Sequence, residues 1–131
     1  MRNLFLLILL SLSMAAYSGN DREKESVISW LEIVDSGKYA ASWDESALFF
    51  QEQISSSKWV QALNKVRSPL GGVISREVTN ASTHSTLPGV SNGKYVVVIL
   101  ATSYEHKKSA TETVTVTKDG DEWRVVGYFI K

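Results

Sequence analysis

The stretch SATETVTVTKDGDEWRVVGYFIK, Ser109 to Lys131, closes the chain and decides how its sheet is read. Two runs of alternating strand formers flank Asp119-Gly120, the strongest short-range hairpin signal, because a primed turn needs positive φ at its centre. With those two residues at the tip, Lys118 faces Asp121, Thr117 faces Glu122 and Val116 faces Trp123. Further out, Val114 meets Val125, Glu112 meets Gly127 and Ala110 meets Phe129. One face then carries Ala110, Glu112, Val114 and Val116 with Trp123, Val125, Gly127 and Phe129. The other carries Thr111, Thr113, Thr115 and Thr117 with Glu122, Arg124, Val126, Tyr128 and Ile130. A slip of one residue would put Trp123 and Phe129 among the threonines, so the apolar pattern favours this register. Within it Glu112 is the oddity, a carboxylate on an apolar face.

The preceding run, Lys94 to Glu105 (KYVVVILATSYE), is β-branched and aromatic and reads as a strand. Joined through His106-Lys107, it sets Tyr95, Val97, Ile99, Ala101 and Ser103 on the Glu112 face, with Ala101 beside the glutamate. Small neighbours on both sides leave room above the carboxylate for a partner side chain, water or a ligand. Val98, Leu100, Val126, Tyr128 and Ile130 fall on the opposite face, more apolar than a wet face requires. That makes a homodimer or partner surface an expectation.

Upstream the period changes. Val27, Trp30, Leu31 and Val34 fall at i, i+3, i+4 and i+7, one stripe of a helix from Asn20 or Asp21, as cap, to about Ser36. Gly37 is placed to end it in a left-handed conformation. A second helical stretch runs from Tyr39 to about Gln53, with Tyr39, Trp43, Ala47, Phe50 and Ile54 along one face and Asp44 offering an internal cap. Ser57 caps a third, with Trp59, Leu63 and Val66 as its stripe. Ser68-Pro69 ends that helix, since the residue before proline resists helical ψ. Val73 to about Thr86 is a polar, alternating strand, and Leu87-Pro88-Gly89 and Ser91-Asn92-Gly93 are turns. Three helices followed by a four-stranded antiparallel meander make an α+β fold, with the helices packed on one face of the sheet.

Composition suits a single domain: apolar residues are 44% and charged residues 21% of the 131. Residues 1–18 read as a secretory signal peptide. Arg2 gives the positive start, Leu4 to Leu12 an apolar run too short for a comfortable span, and Ser13 to Ser18 a small-residue cleavage region. The expected mature domain is then 19–131, periplasmic or secreted, with no membrane attachment after cleavage. Arg2 is the only charged residue in the leader, so 14 basic residues become 13 against 14 acidic ones, a net charge of −1. With no basic block, nucleic acid is not an expected partner. The absence of cysteine excludes disulfides, thiol chemistry and a lipoprotein anchor.

Several stretches together carry a resemblance. They are Trp30-Leu31 with Val34-Asp35-Ser36-Gly37, Tyr39, Ser42-Trp43, the Trp59 helix, Val66-Arg67-Ser68-Pro69-Leu70-Gly71, Ser75-Arg76, Leu87-Pro88-Gly89, Asn92-Gly93-Lys94-Tyr95, Lys107, Glu112-Thr113-Val114 and Trp123-Arg124-Val125 with Gly127-Tyr128. Over nearly the whole mature chain this resembles domain of unknown function family 4019, a bacterial family of secreted proteins with no assigned activity. The order of elements also resembles the cone of the nuclear-transport-factor-2-like (NTF2-like, cystatin-like) fold. The resemblance implies helices on a curved sheet. It does not choose among the isomerases, dehydratases, ligand binders and interaction domains such cones host.

The candidate site residues are Glu112, Arg67, Arg76, Trp43 and Tyr39. Glu112 reads either as a buried carboxylate satisfied by an arginine or as a general base or ligand anchor. Arg67, ending the third helix, and Arg76, on the first strand, are its natural partners. Arg67 also reads as a helix C-terminal cation or an anion binder. Trp43 and Tyr39 belong either to the core or to a pocket lining. His84 and His106 lack metal-ligand spacing, so neither a metal nor another cofactor is expected. The function expected is non-enzymatic binding of a small ligand or a protein partner. The alternative is a small isomerase- or lyase-type enzyme with Glu112 as base and Tyr39, Tyr104 or Arg67 orienting the substrate.

Overall fold

A computed structural model describes residues 19–131; the leader expected over residues 1–18 lies outside them. Four α-helices, α1 (Asp21–Asp35), α2 (Tyr39–Asp44), α3 (Leu48–Gln53) and α4 (Ser56–Arg67), lead through a 3-10 turn at Ser68–Leu70 into the strands. These are β1 (Val73–His84), β2 (Tyr95–Tyr104), β3 (Lys107–Asp119) and β4 (Glu122–Ile130), antiparallel in the order β1-β2-β3-β4. The fold is α+β with an open sheet, as the residue pattern predicts. No helix among the described residues is long and apolar enough to cross a membrane.

The α1 stripe is buried as its spacing dictates. Gly37 adopts φ 76° just past the helix. Its N–H donates to the Val34 carbonyl and that of Lys38 to the Ile33 carbonyl, the paired bonds of a Schellman ending. Asn20 occupies the N-cap position, but its side chain makes no cap and instead accepts from Thr83 Oγ1. The second helical stretch breaks into α2 and α3, where the Ala47 N–H donates to the Val125 carbonyl at 2.7 Å rather than along a helix. The cap of α4 is Ser55, accepting from the Lys58 N–H at 3.3 Å, in place of the expected Ser57. Val66, expected on the α4 stripe, is 46% exposed, and its neighbour Arg67 is buried instead. Trp30, Leu31, Phe50, Trp59 and Leu63 close over Val96, Val98, Leu100, Val114, Val116 and Val125 to form the core.

Two expected faces of the sheet are reversed, each by a bulge. At the hairpin tip Asp119 pairs with Glu122, so Gly120-Asp121 is the two-residue turn. Gly120, with φ 65°, takes the first central position, where glycine is demanded by a II′ turn. Val116 then pairs with Val125 and Thr115 with Gly127, leaving Val126 as an extra residue. Because side chains alternate with period two, one extra residue swaps the faces beyond it. Val114 therefore pairs with Tyr128, and Glu112 with Ile130 rather than Gly127. A second irregularity, between Thr102 and Tyr104, shifts the β2–β3 register in the same way: Leu100, not Ala101, pairs with Glu112. The expected row of Ala101, Glu112 and Gly127 does not form. Val98, Leu100 and Tyr128 turn toward the helices, and Phe129 is exposed on the other side with the half-buried Val97 and Ile99. The face on which a homodimer contact is expected is thus built from different residues.

Candidate functional site

Under the helix ends, four charged side chains meet. Asp35 is the last residue of α1, Arg67 the last of α4, Arg76 lies on β1 and Glu112 on β3. Arg67 Nη2 donates to Asp35 Oδ1 at 2.8 Å. Arg76 spans both carboxylates, giving Nη1 to Asp35 Oδ2 at 2.6 Å and Nη2 to Oδ1 at 3.1 Å. It also gives Nε to Glu112 Oε1 at 2.6 Å and Nη2 to Oε2 at 3.2 Å. The planar guanidinium fork suits such two-sided recognition, which a lysine could not reproduce.

Glu112 is fully buried. Besides Arg76, Thr102 Oγ1 donates to its Oε1 at 2.5 Å and the Tyr128 hydroxyl donates to its Oε2. Each oxygen thus receives two donors, which fills the roughly four acceptor positions a carboxylate has. The Arg67 side chain is 5% exposed. Among the described residues its Nε and Nη1 find no hydrogen-bond partner; instead its guanidinium carbon lies 5.2 Å from the centre of the Tyr104 ring, a cation–π contact.

Burial alone would raise the pKa of Glu112, but hydrogen bonds from Arg76, Thr102 and Tyr128 outweigh it and hold the carboxyl below its usual range. For Asp35, burial is likewise outweighed by Arg76 and Arg67. Tyr104 is pushed up to about 12, first by burial and then by the Glu112 charge, and Tyr128 is raised by the same causes. As pH falls, the unfolded chain takes up protons at its ordinary carboxyl pKa before the folded one does. The stability from Asp35 and Glu112 is therefore complete above the ordinary carboxylate range of roughly 4, and lost as pH drops through their depressed values. The tyrosines act oppositely, with full stability below their ordinary 10 and loss as pH rises from there through about 12 for Tyr104. Urea midpoints should hold level between about pH 5 and 9 and fall on both sides. A midpoint unchanged down to about pH 2.5 would contradict the ion network.

Of the residues singled out from sequence, the structure gathers Glu112, Arg76 and Arg67, the last only through Asp35. Trp43 and Tyr39 are elsewhere. The Trp43 indole N–H donates to the Ile54 carbonyl at 2.8 Å, and Tyr39, half-buried at the start of α2, packs against the core. Asp35 is the member that periodicity overlooks. Its signal is a carboxylate at a helix C-terminus, the end that the macrodipole disfavours for an anion. Such a placement calls for cations, and Arg67 and Arg76 supply them. Thr102 and Tyr128 are missed because the bulges reverse their faces, while Gly127 inside a strand is the mark that could have revealed one of those bulges.

A second feature is a cleft of about 510 Å³ between α1 and the start of β4. Trp123, Trp30, Ile33 and Val125 form its apolar lining; Arg22, Glu25, Glu45, Asp121, Glu122 and Arg124 stand around it. The Ser26 hydroxyl ties the two walls, donating to the Trp123 carbonyl at 2.6 Å. The volume falls within the range of small-molecule sites.

A family model described as protein of unknown function (DUF4019) matches residues 26–128, and the chain belongs to that family. A search of curated proteins finds no match.

Proposed function

We propose that this member of the DUF4019 family is a secreted, non-catalytic binding domain whose ligand site is the α1–β4 cleft. The observation that carries the reading is the saturation of Glu112. A general base needs a free lone pair within reach of a substrate proton, and this carboxylate is fully buried with donors on both oxygens. To act as a base it would have to give up partners that also hold α1 to the sheet. The ion network is then the frame of the site, and recognition falls to the cleft, where Trp123 is half-buried. Aromatic side chains supply rigid contact area there at low entropic cost. Secretion rests on the leader pattern of residues 1–18.

The test is backbone and indole chemical-shift mapping of the 19–131 domain with a library of small soluble fragments. Hits should shift Ser29, Ile33 and the Trp123 indole together, and Trp123→Ala should abolish them without loss of fold. Fragment shifts confined to the groove by Ser75, Ser103 and Ser109, leaving Trp123 unmoved, would overturn the assignment.

A further inference from the structure

The charge around the cleft is unbalanced in a way that specifies its occupant. Glu25, Glu45, Asp121 and Glu122 face it against Arg22 and Arg124, four carboxylates to two guanidiniums. The Arg124 guanidinium is already committed: Nη2 lies 2.7 Å from Glu122 Oε2 and Nη1 3.6 Å from Glu45 Oε2, and Nη1 also donates to the Glu45 carbonyl. A guanidinium shared by two carboxylates leaves little positive field for an incoming anion. Among the described residues no ion pair engages Arg22, Glu25 or Asp121, so the second cation faces two further carboxylates. The cleft therefore carries an excess of two negative charges, in a chain whose overall charge is close to zero.

The apolar lining adds a second preference. Trp30 is fixed, its indole N–H donating to the Ser42 carbonyl at 2.8 Å and its ring set edge-on to Tyr128. Trp123 is half-buried, and no side-chain hydrogen bond among the described residues holds its indole N–H. An indole lining the same cleft as several carboxylates is the combination that selects an organic cation over an inorganic one: the ring quadrupole attracts the charge, and the apolar body of the ligand buries against Trp123 and Ile33.

We infer that the α1–β4 cleft binds a small organic ammonium ion, with its charge among Glu25, Asp121 and Glu122 and its apolar body on Trp123. The inference rests on the binding reading above and narrows it to one ligand class. A neutral molecule of the same shape loses both the carboxylates and the cation–π contact, and an anion is repelled.

Three soluble probes of similar shape separate these cases: phenethylammonium, phenethyl alcohol and phenylacetate, each titrated against the 19–131 domain while the Trp123 indole resonance is followed. The ammonium should bind about tenfold more tightly than the alcohol, with phenylacetate weakest, and its affinity should fall with added salt. Glu25→Gln combined with Asp121→Asn removes the two unpaired carboxylates, at exposed positions where little stability is at stake. In that variant the ammonium should lose most of its advantage over the alcohol, keeping only the part that Glu122 and the Trp123 ring supply, while the alcohol is unchanged. Equal binding of the three probes, or a cation preference undiminished by the double substitution, overturns the ammonium class while leaving the cleft as a site. No shift with any probe, in a domain whose fragment hits still map to the cleft, also overturns the class alone. Fragment hits that bypass Trp123 overturn both.

Discussion

Glu112→Ala should lower the free energy of unfolding by about 3–5 kcal/mol, because it removes one partner of a buried ion pair and leaves the other uncompensated. Arg76 would keep Asp35, but its Nε and one bond of Nη2 would face the vacated space. Thr102, itself buried, and Tyr128 would lose their acceptor as well. An orphaned buried donor costs about 1–3 kcal/mol, so the figure requires only that part of this set stays unsatisfied. Against a total stability of about 5–15 kcal/mol for a domain, the variant should unfold at markedly lower urea. Tryptophan fluorescence, with four indoles as reporters, gives the measurement. A loss below about 1 kcal/mol would show that water replaces the carboxylate without penalty.

The same geometry predicts strong non-additivity. Arg76→Ala and Glu112→Ala break the same bonds, so the double variant should lose well under the sum of the two, with a coupling of about 1–3 kcal/mol. Asp35→Ala should couple to Arg76→Ala for the same reason, more weakly because the Asp35 side chain is 26% exposed and water replaces part of what is lost. None of this makes the network a net source of stability relative to an apolar core. Desolvating four charges is costly, and replacing the whole set with hydrophobic residues is often neutral or stabilising. What the network supplies is position: Asp35 and Arg67 fix the ends of α1 and α4 against β1 and β3.

The parts of this fold legible in the sequence are those carried by a single period. The α1 stripe, the Gly37 ending and the existence of four antiparallel strands follow from residue spacing and turn chemistry. Glu112 is conspicuous because a carboxylate interrupts an apolar alternation, and chemistry alone names Arg76 as a partner. Its neighbours were not legible, because alternation carries no information across a bulge. Val126 adds one residue and every assignment beyond it inverts, so simple alternation points Tyr128 outward although its hydroxyl reaches Glu112. The helix break at Glu45-Ser46-Ala47 was hidden for a related reason, since the Ala47 N–H leaves the helix for a partner on β4, about eighty residues away in sequence. The close approach of Gly71 to the β2–β3 turn is equally long-range. With φ 74°, a Cβ there would come within 3.0 Å of Glu105 Cβ and His106 Cδ2. The cleft depends on how α1 crosses β4, and no local pattern reports that angle.

Trp30→Ala is the second large effect, a loss of about 3–5 kcal/mol by the usual cost of truncating a buried aromatic. Trp30 is 3% exposed, its ring centre 6.2 Å from that of Trp59 and 5.2 Å from that of Tyr128. Its indole N–H donates to the Ser42 carbonyl and to Ser46 Oγ at 3.2 Å, both in buried residues. The Ser42 carbonyl keeps the Ser46 hydroxyl as a donor, so most of the penalty should come from the cavity rather than from unsatisfied oxygen. Trp30→Phe separates the two contributions: it retains most of the ring volume, drops the N–H, and should cost about 1–2 kcal/mol. The Tyr128 contact gives the experiment a further reading. That ring leans on Trp30 while its hydroxyl serves Glu112, so a cavity at position 30 should loosen the donor and raise the carboxyl pKa toward its ordinary range. The acid limb of the stability profile should then be shallower in Trp30→Ala than in the parent, whereas Leu63→Ala, a core truncation on α4, should leave its slope unchanged. Equal slopes in all three proteins would show that the aromatic core and the ion network are energetically separate.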